Sequence, residues 1–382
     1  MPAAPPSRLP ASAGLAIALL VAGCGGDDTG SGTTTSADAA RSAPALAAPL
    51  TDELQDVVDS TVDDLGPPGA VVVVTTPDET WETAVGVTDL DNGEPMTEGL
   101  RWPIRSITKS FTTTLVLQLA DEGELSLHDT IDTWVPDVPN GDRITLRQLA
   151  EMTSGLADYT TQAWVDDFVA DPTREFTVDE LIAYGTAEPP VAEPGTESVY
   201  TNLNSLLLGK VVEAATGEPF AAVLDERILG PLDLDSTVYP TDPDQWTTDV
   251  TGYAPDDAGP LADQPVNYSV FGPAGAMIAT TDDLTVWGRA LADGDLLDTA
   301  TQQERLEGGV LEEGPEYDRY AFGIGEIDGW WGHTGEGFGV TTLVMHCVET
   351  DTTVVIAMNA SQLETHGPTT LFRRLSPLLA PN

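Results

Sequence analysis

The chain has 382 residues, with 63 Asp and Glu against 15 Lys and Arg, and a formal net charge of −48. A surface this acidic repels nucleic acid and anionic lipid headgroups, which excludes both as charge-recognised partners. With 41% hydrophobic residues and eight tryptophans, it can bury a core as one large domain or two ordinary ones.

At the N-terminus, Arg8 precedes the apolar run Leu15 to Ala22 and then Gly23-Cys24. Positions 1–23 read as a secretory signal, too short to span a bilayer. Val21-Ala22-Gly23-Cys24 resembles a lipobox, so Cys24 is expected to carry lipid and to anchor the protein at the membrane's outer face. Cys347 is then the only cysteine left for the fold, and no intramolecular disulfide is possible. Its apolar, strand-like surroundings, Val344 to Val348, make it a core residue. Residues 24–49 are a Gly, Ser, Thr, Ala and Asp tether, and 50–382 are expected to form the folded domain. The acidity fits either adaptation to salt or a biased genome composition.

Leu54, Val57, Val58, Val62 and Leu65 keep helical spacing up to Gly66-Pro67-Pro68-Gly69. Ala70 to Val74 and Trp81 to Val87 read as two strands around a turn at Pro77-Asp78-Glu79. The next 200 or so residues lean helical, from Ser106 through Ile144–Met152, Val178–Tyr184, Asn202–Ala215 and a capped helix from Thr280 to Leu291. Strands return at Tyr320–Ile327, Gly339–Cys347 and Thr352–Met358, and a last helix covers Pro368–Leu379. The two ends must therefore meet in one antiparallel sheet flanked by the terminal helices, with a mostly helical region beside it. This is an α+β fold with its natural cleft between the two parts.

Arg105-Ser106-Ile107-Thr108-Lys109 sits at the start of a helix whose apolar stripe is Ile107, Phe111, Leu115 and Leu119. Positions i and i+3 share a helix face, so Ser106 and Lys109 can point the same way. A hydroxyl becomes a nucleophile when a neighbouring amine accepts its proton, and lysine, unlike arginine, can be shifted to neutrality. The alternative is a serine N-cap beside a solvated lysine. Against that, the chain has two lysines, Lys109 and Lys210, and thirteen arginines.

Two further motifs follow in order, Tyr200-Thr201-Asn202 ahead of a helix and His333-Thr334-Gly335 ahead of the strand from Gly339. With Ser106-x-x-Lys109 they resemble the three-motif signature of the serine β-lactamase and penicillin-binding protein superfamily. The likeness is to the branch of class C β-lactamases, D-alanyl-D-alanine carboxypeptidases and related esterases. Met152-Thr153-Ser154-Gly155-Leu156 matches the family's Thr-Ser-Gly-Leu turn, and the likeness runs from about Thr51 to the C-terminus. No Gly-x-Ser-x-Gly occurs, which removes the α/β-hydrolase elbow.

The resemblance implies a β-lactamase/transpeptidase-like fold and an acyl-enzyme on Ser106, with Lys109 relaying its proton. Tyr200 is implied as base, as phenolate or through Lys109, and as donor to the leaving group. Asn202 would bond Lys109 or the substrate amide. His333 would bring polarity or positive charge, and Thr334 would bond substrate. Gly335 would let the edge strand approach substrate closely, and the N–H groups of Ser106 and Glu336 would form the oxyanion hole. Trp330 and Trp331 are expected to pack in the sheet rather than wall the cleft. His128, His346 and His366 are expected to be structural. No metal-ligand spacing is present, and neither metal nor cofactor is expected.

A carboxypeptidase needs a cation near the third motif, and the nearest upstream is Arg319, among Glu326, Asp328 and Glu336. The leading expectation is a secreted, lipid-anchored, monomeric serine hydrolase resembling a D-alanyl-D-alanine carboxypeptidase that acts on cell-wall peptides. The alternatives are a related esterase, a D-amino-acid amidase or a class C-like β-lactamase, on small ester, amide or β-lactam substrates. A reading of another class is an inactive homologue that binds cell-wall peptide, against which the intact Ser106, Lys109 and Tyr200 argue.

Overall fold

The computed structural model describes residues 45–255 and 261–380. The expected signal at 1–23, Cys24 and most of the tether lie outside the described residues. Leu46 is already buried and its N–H bonds the Glu79 carboxylate at 2.7 Å, so the ordered packing starts slightly before the expected boundary at 50.

Helix α1 (Leu50–Leu65) leads into β1 (Gly69–Thr75) and β2 (Thr80–Gly86). The middle carries β3 (Trp102–Pro103), α2 (Thr108–Asp121), α3 (Leu146–Ala150), α4 (Gln162–Ala170), α5 (Val178–Thr186), α6 (Asn202–Thr216) and α7 (Phe220–Leu224). Then come β4 (Tyr253–Pro255), β5 (Leu261–Asp263), β6 (Ile278–Ala279), α8 (Thr281–Asp293) and α9 (Thr299–Arg305). The chain ends with β7 (Arg319–Tyr320), β8 (Gly325–Ile327), β9 (Trp330–Gly337), β10 (Val340–Cys347), β11 (Thr352–Met358) and α10 (Gly367–Leu379).

The main sheet has seven antiparallel strands in the order β2-β1-β11-β10-β9-β8-β7. The chain ends meet where β1 pairs β11, as expected. Side chains of a strand alternate between faces, and the alternation divides two cores. Ala70, Val72, Val74, Leu343, Met345, Val354 and Ile356 pack with Leu54, Val58, Leu371 and Phe372 of α1 and α10. Val71, Val73, Val344, Val355 and Ala357 face the helical region with Phe111, Trp287 and Leu207. Because both faces are covered, β1 reads as a continuous apolar run although the sheet is antiparallel. Cys347 is a buried, free thiol in the first of these cores.

The helical region is fastened to the sheet by α8. Gly288 lets it settle so closely that a Cβ there would lie 2.4 Å from Val344 Cγ2. Trp287 stacks on Phe111 at 3.7 Å and its Nε1–H donates to Ser110 Oγ at 2.9 Å, tying α8 to α2.

Two expectations change. The single strand over Tyr320–Ile327 is two strands, β7 and β8, separated by a reversal at Gly323, whose φ of +62° favours glycine. His333-Thr334-Gly335 precedes β10 as expected, but it also lies inside a strand of its own, β9, where no strand was expected. Because β8 pairs only with Trp330–Gly332, the outer edge of β9 stays open from His333 onward, beside the helical region. No helix of the described residues is long and apolar enough to cross a membrane.

Candidate active site

Ser106 sits in a 3₁₀ turn, Arg105–Ile107, rather than in the helix proper, which starts at Thr108. The turn is anchored because β3 pairs with β6 and the Ile104 N–H donates to Met277 O at 3.0 Å. Arg105 holds a left-handed φ of +51°, which costs a non-glycine residue about 1–2 kcal/mol. Burial and stacking hold it there: its Nε donates to Gly337 O at 2.9 Å and its guanidinium lies 4.4 Å from the Phe271 ring centre. Burial lowers this guanidinium to a pKa of about 9, with Tyr159 opposing the shift.

Lys109 is fully buried, and its Nζ lies 2.9 Å from Ser106 Oγ, 2.8 Å from Asn202 Oδ1 and 2.8 Å from Ala274 O. Burial pushes its pKa down to about 7, with the Asp158 carboxylate opposing. As a neutral amine it donates to Asn202 and Ala274, and its lone pair is left for the Ser106 hydroxyl proton. The arrangement can therefore generate a nucleophile near neutral pH.

Thr201 caps α6 and leaves Asn202 as the helix's first residue. Asp158 fixes this start. Its Oδ2 accepts from the Asn202 N–H (2.5 Å), Asn202 Nδ2 (3.0 Å) and Thr201 Oγ1 (3.2 Å). Asn202 thus bonds Lys109 through Oδ1 and Asp158 through Nδ2. The Thr-Ser-Gly-Leu turn braces the loop ahead of it: the Val199 N–H donates to Met152 O at 2.9 Å, and Ser154 Oγ to Asn204 Oδ1 at 2.7 Å. The Lys109 ammonium position lies 5.0 Å from the centre of the Tyr200 ring. The Tyr200 hydroxyl is buried with no completed hydrogen bond, and burial, then Tyr320 and Tyr317, push its pKa well above the ordinary phenol value. The nearby Ser106 hydroxyl opposes this without reversing it. The phenolate form expected for Tyr200 is disfavoured, because an ionised oxygen there would be desolvated.

The third motif is rebuilt in two respects. His333 is fully buried behind β9 and burial holds its pKa at about 3, so it carries no positive charge. Its Nδ1–H donates to Thr334 O at 2.6 Å, so Nε2 accepts from the Tyr320 hydroxyl at 3.2 Å. Tyr317 accepts from the Thr334 N–H at 2.8 Å and pairs with Thr334 Oγ1 at 2.7 Å, which fixes the threonine at the cleft wall. Gly335 serves the protein's own packing: a Cβ there would lie 2.3 Å from Ile104 O, so glycine seats the Ser106 turn on β9. The expected close approach to substrate is taken up by that turn. Along β9 the N–H directions alternate, so the Glu336 N–H points to the same open edge as that of Thr334.

These residues border a cleft of about 540 Å³ lined by Ser106, Tyr200, Asn202, Thr334 and Glu336. Its rim adds the exposed Glu316 and Glu364, and no Lys or Arg lines it. A hollow of similar size, 520 Å³, lies by Lys210, but Asp179 and Glu213 already pair with that lysine and it holds no nucleophile. His366, expected to be only structural, also lines the cleft; it caps α10 through Thr369 N–H and its Nε2 reaches Gly335 O at 3.2 Å. Trp330 packs on Phe372, and neither it nor Trp331 lines the cleft. Asp158, Tyr317, Tyr320 and His366 were not found by sequence reasoning. Only Asp158, two residues past the Thr-Ser-Gly-Leu turn, stood near a motif.

The fold and this cleft define a serine hydrolase of the β-lactamase and penicillin-binding protein type. A family model described as Beta-lactamase matches residues 54–376, and the chain belongs to that family. A D-aminopeptidase of Brucella anthropi is 28% identical over 77% of this chain and 56% of its own length. A D-stereospecific amidohydrolase from Streptomyces sp. superposes with a TM-score of 0.73 at 28% identity, covering 85% of this chain and 97% of that one. The D-amino acid amidase of Ochrobactrum anthropi SV3, complexed with L-phenylalanine amide, gives 0.75 at 25% identity, covering 86% and 97%. The chain spans about half the length of the curated relatives it matches.

Proposed function

We propose that the protein is a serine amidase that acts on short amides or peptides of D-amino acids bearing a free α-ammonium group. The observation that carries this reading is the charge of the cleft: Glu316, Glu336 and Glu364 surround Ser106, and no cation lines it. An ammonium is favoured there and a substrate carboxylate is not. Arg105, the buried cation next to Ser106 in sequence, turns towards Gly337 O and Phe271 instead of lining the cleft. The D-specific names of the two solved relatives support the stereochemistry.

In this mechanism neutral Lys109 takes the Ser106 proton as Oγ bonds to the amide carbon, and the N–H groups of Ser106 and Glu336 hold the oxyanion. As the C–N bond breaks, the leaving amine takes the Tyr200 proton, and the Lys109 ammonium returns its own proton to the Tyr200 oxygen. Water then attacks the acyl-enzyme with Lys109 again as base, releasing the acid. Export and anchoring through Cys24 are part of the proposal and rest on the N-terminal sequence. Replacing Cys24 with Ala should release the protein from the membrane fraction.

The test is kcat/KM for a D-amino-acid amide, its N-acetyl derivative and an N-acetylated peptide ending in D-alanyl-D-alanine, with Ser106→Ala as control. One exposed ion pair contributes up to about 1 kcal/mol, so three glutamates support a preference of roughly 10-fold or more for the free amine. Preference for the peptide with a free carboxylate would favour the carboxypeptidase reading, and accumulation of opened penicillin the β-lactamase one. Hydrolysis of simple esters alone would favour the esterase, and no acylation of Ser106 by any of these a silent binder.

A further inference from the structure

Outside the cleft, one side-chain cluster among the described residues is built like a ligand set. His346 of β10 has a fully buried side chain, and its Nε2 makes no hydrogen bond. It faces two carboxylates, Asp293 Oδ1 at 3.6 Å from the last turn of α8 and Asp351 Oδ1 at 4.0 Å from the turn between β10 and β11. All three donor atoms lie within 4.8 Å of one another. These distances are too long for hydrogen bonds. They are close to what a shared ion needs, since donors 2.0–2.2 Å from a tetrahedral cation sit about 3.3 Å apart.

The surroundings are arranged as an outer shell. His346 Nδ1 bonds Thr353 Oγ1 at 2.9 Å, which fixes the ring and leaves Nε2 towards the acids. The second oxygens of both carboxylates turn away to Arg289, Asp351 Oδ2 at 2.9 Å and Asp293 Oδ2 at 3.5 Å. Each acid thus gives one oxygen to the guanidinium and the other to the imidazole side. Asp351 holds its place at a left-handed φ of +49°, a conformation an L side chain rarely adopts. The Asp293 and Asp351 side chains are 26% and 35% exposed, which provides an entry path and room for water to complete the coordination.

We propose that Asp293, His346 and Asp351 bind one divalent transition-metal ion of the zinc class, which clamps the end of α8 to the β10–β11 turn. An imidazole in the donor set selects against magnesium and calcium, which prefer oxygen alone. None of the three residues lines the Ser106 cleft, so the role is structural. The expectation of no metal rested on sequence spacing, and these ligands come from separate elements.

The experiment is titration of the chelator-stripped full chain with zinc chloride by calorimetry, with cobalt(II) absorption as a second readout. Magnesium chloride serves as comparison. One equivalent should bind at micromolar or lower Kd, and a zinc excess of 100-fold over Kd should raise Tm by about 4 °C. The D293N/D351N variant, altered only at part-exposed side chains, should lose at least 100-fold in affinity, while Ser106 acylation stays unchanged in both proteins. Equal binding by wild type and variant, binding only at millimolar zinc, or equal affinity for magnesium would overturn the proposal. Using the aspartates keeps the test valid should replacement of the buried His346 prevent folding.

Discussion

Lysine 109 should show itself as a titrating group in the stability of the protein, not only in its rate. The comparison is wild type against Lys109→Met, unfolded by urea at pH 7 and pH 9. Burial lowers the folded pKa to about 7 from an ordinary 10.5. A group whose folded pKa is depressed contributes its full stability above the unfolded value and loses it as pH falls through the folded value. Between pH 7 and pH 9 the native state therefore binds fewer protons than the unfolded chain, and stability rises with pH. For these two values the gain over that interval is about 2 kcal/mol. The methionine variant leaves Asn202 Oδ1 and Ala274 O without the Lys109 donor, at a cost of about 1–3 kcal/mol each. That cost does not depend on pH and cancels when each protein is compared with itself. Wild type should thus gain about 2 kcal/mol more than the variant between the two pH values. The same ionisation should set the acid limb of Ser106 acylation, with a midpoint near pH 7. Parallel pH dependence of stability in the two proteins, with an acid limb displaced towards 10, would mean that Lys109 stays charged and that the proposed base is wrong.

Tyr200→Phe removes a buried hydroxyl that has no hydrogen bond, so Tm should hold or rise while acylation falls by about 10²–10⁴; normal acylation would remove Tyr200 from the proton path. Asp158→Asn withdraws the charge that supports the Lys109 ammonium, so the acid limb of the acylation profile should move to lower pH; an upward shift would contradict the role given to Asp158. Gly335→Ala places a methyl 2.3 Å from Ile104 O and should cost about 1–3 kcal/mol of stability together with most of the acylation rate, read by urea unfolding and acyl-enzyme mass. A fully active and equally stable alanine variant would show that the Ser106 turn does not need its seat on β9.

Much of this was legible before folding because the motifs are local. Ser106 and Lys109 are three residues apart on one turn, and the two ends of the chain carry strands that have nowhere else to pair. The terminal helices and the strands β1, β2, β10 and β11 were read to within a few residues, since each carries a clean apolar period or a β-branched run, whereas β9 was not read as a strand. What escaped depends on depth rather than spacing. His333 looks like a cleft residue in the sequence, yet strand alternation turns it into the tyrosine cage of Tyr317 and Tyr320. Gly335 looks like a concession to substrate, yet in the folded chain Ile104 occupies the space. The reversal at Gly323 and the pairing of β8 with only part of β9 leave no periodic trace, so the open catalytic edge could not be drawn in advance.

The pairing of β1 with β11 has a consequence in time. The strand that presents Thr334 and Glu336 leans on β10, β10 leans on β11, and β11 finds its other neighbour nearly 300 residues back in the chain. Ser106 and Lys109 can meet early as a local turn, but the opposing wall must wait for the closing segment. Contacts between such distant positions form slowly. A partly made chain would hold its nucleophile without the strand that completes the proposed oxyanion hole, and would stay chemically quiet until its last strand arrived.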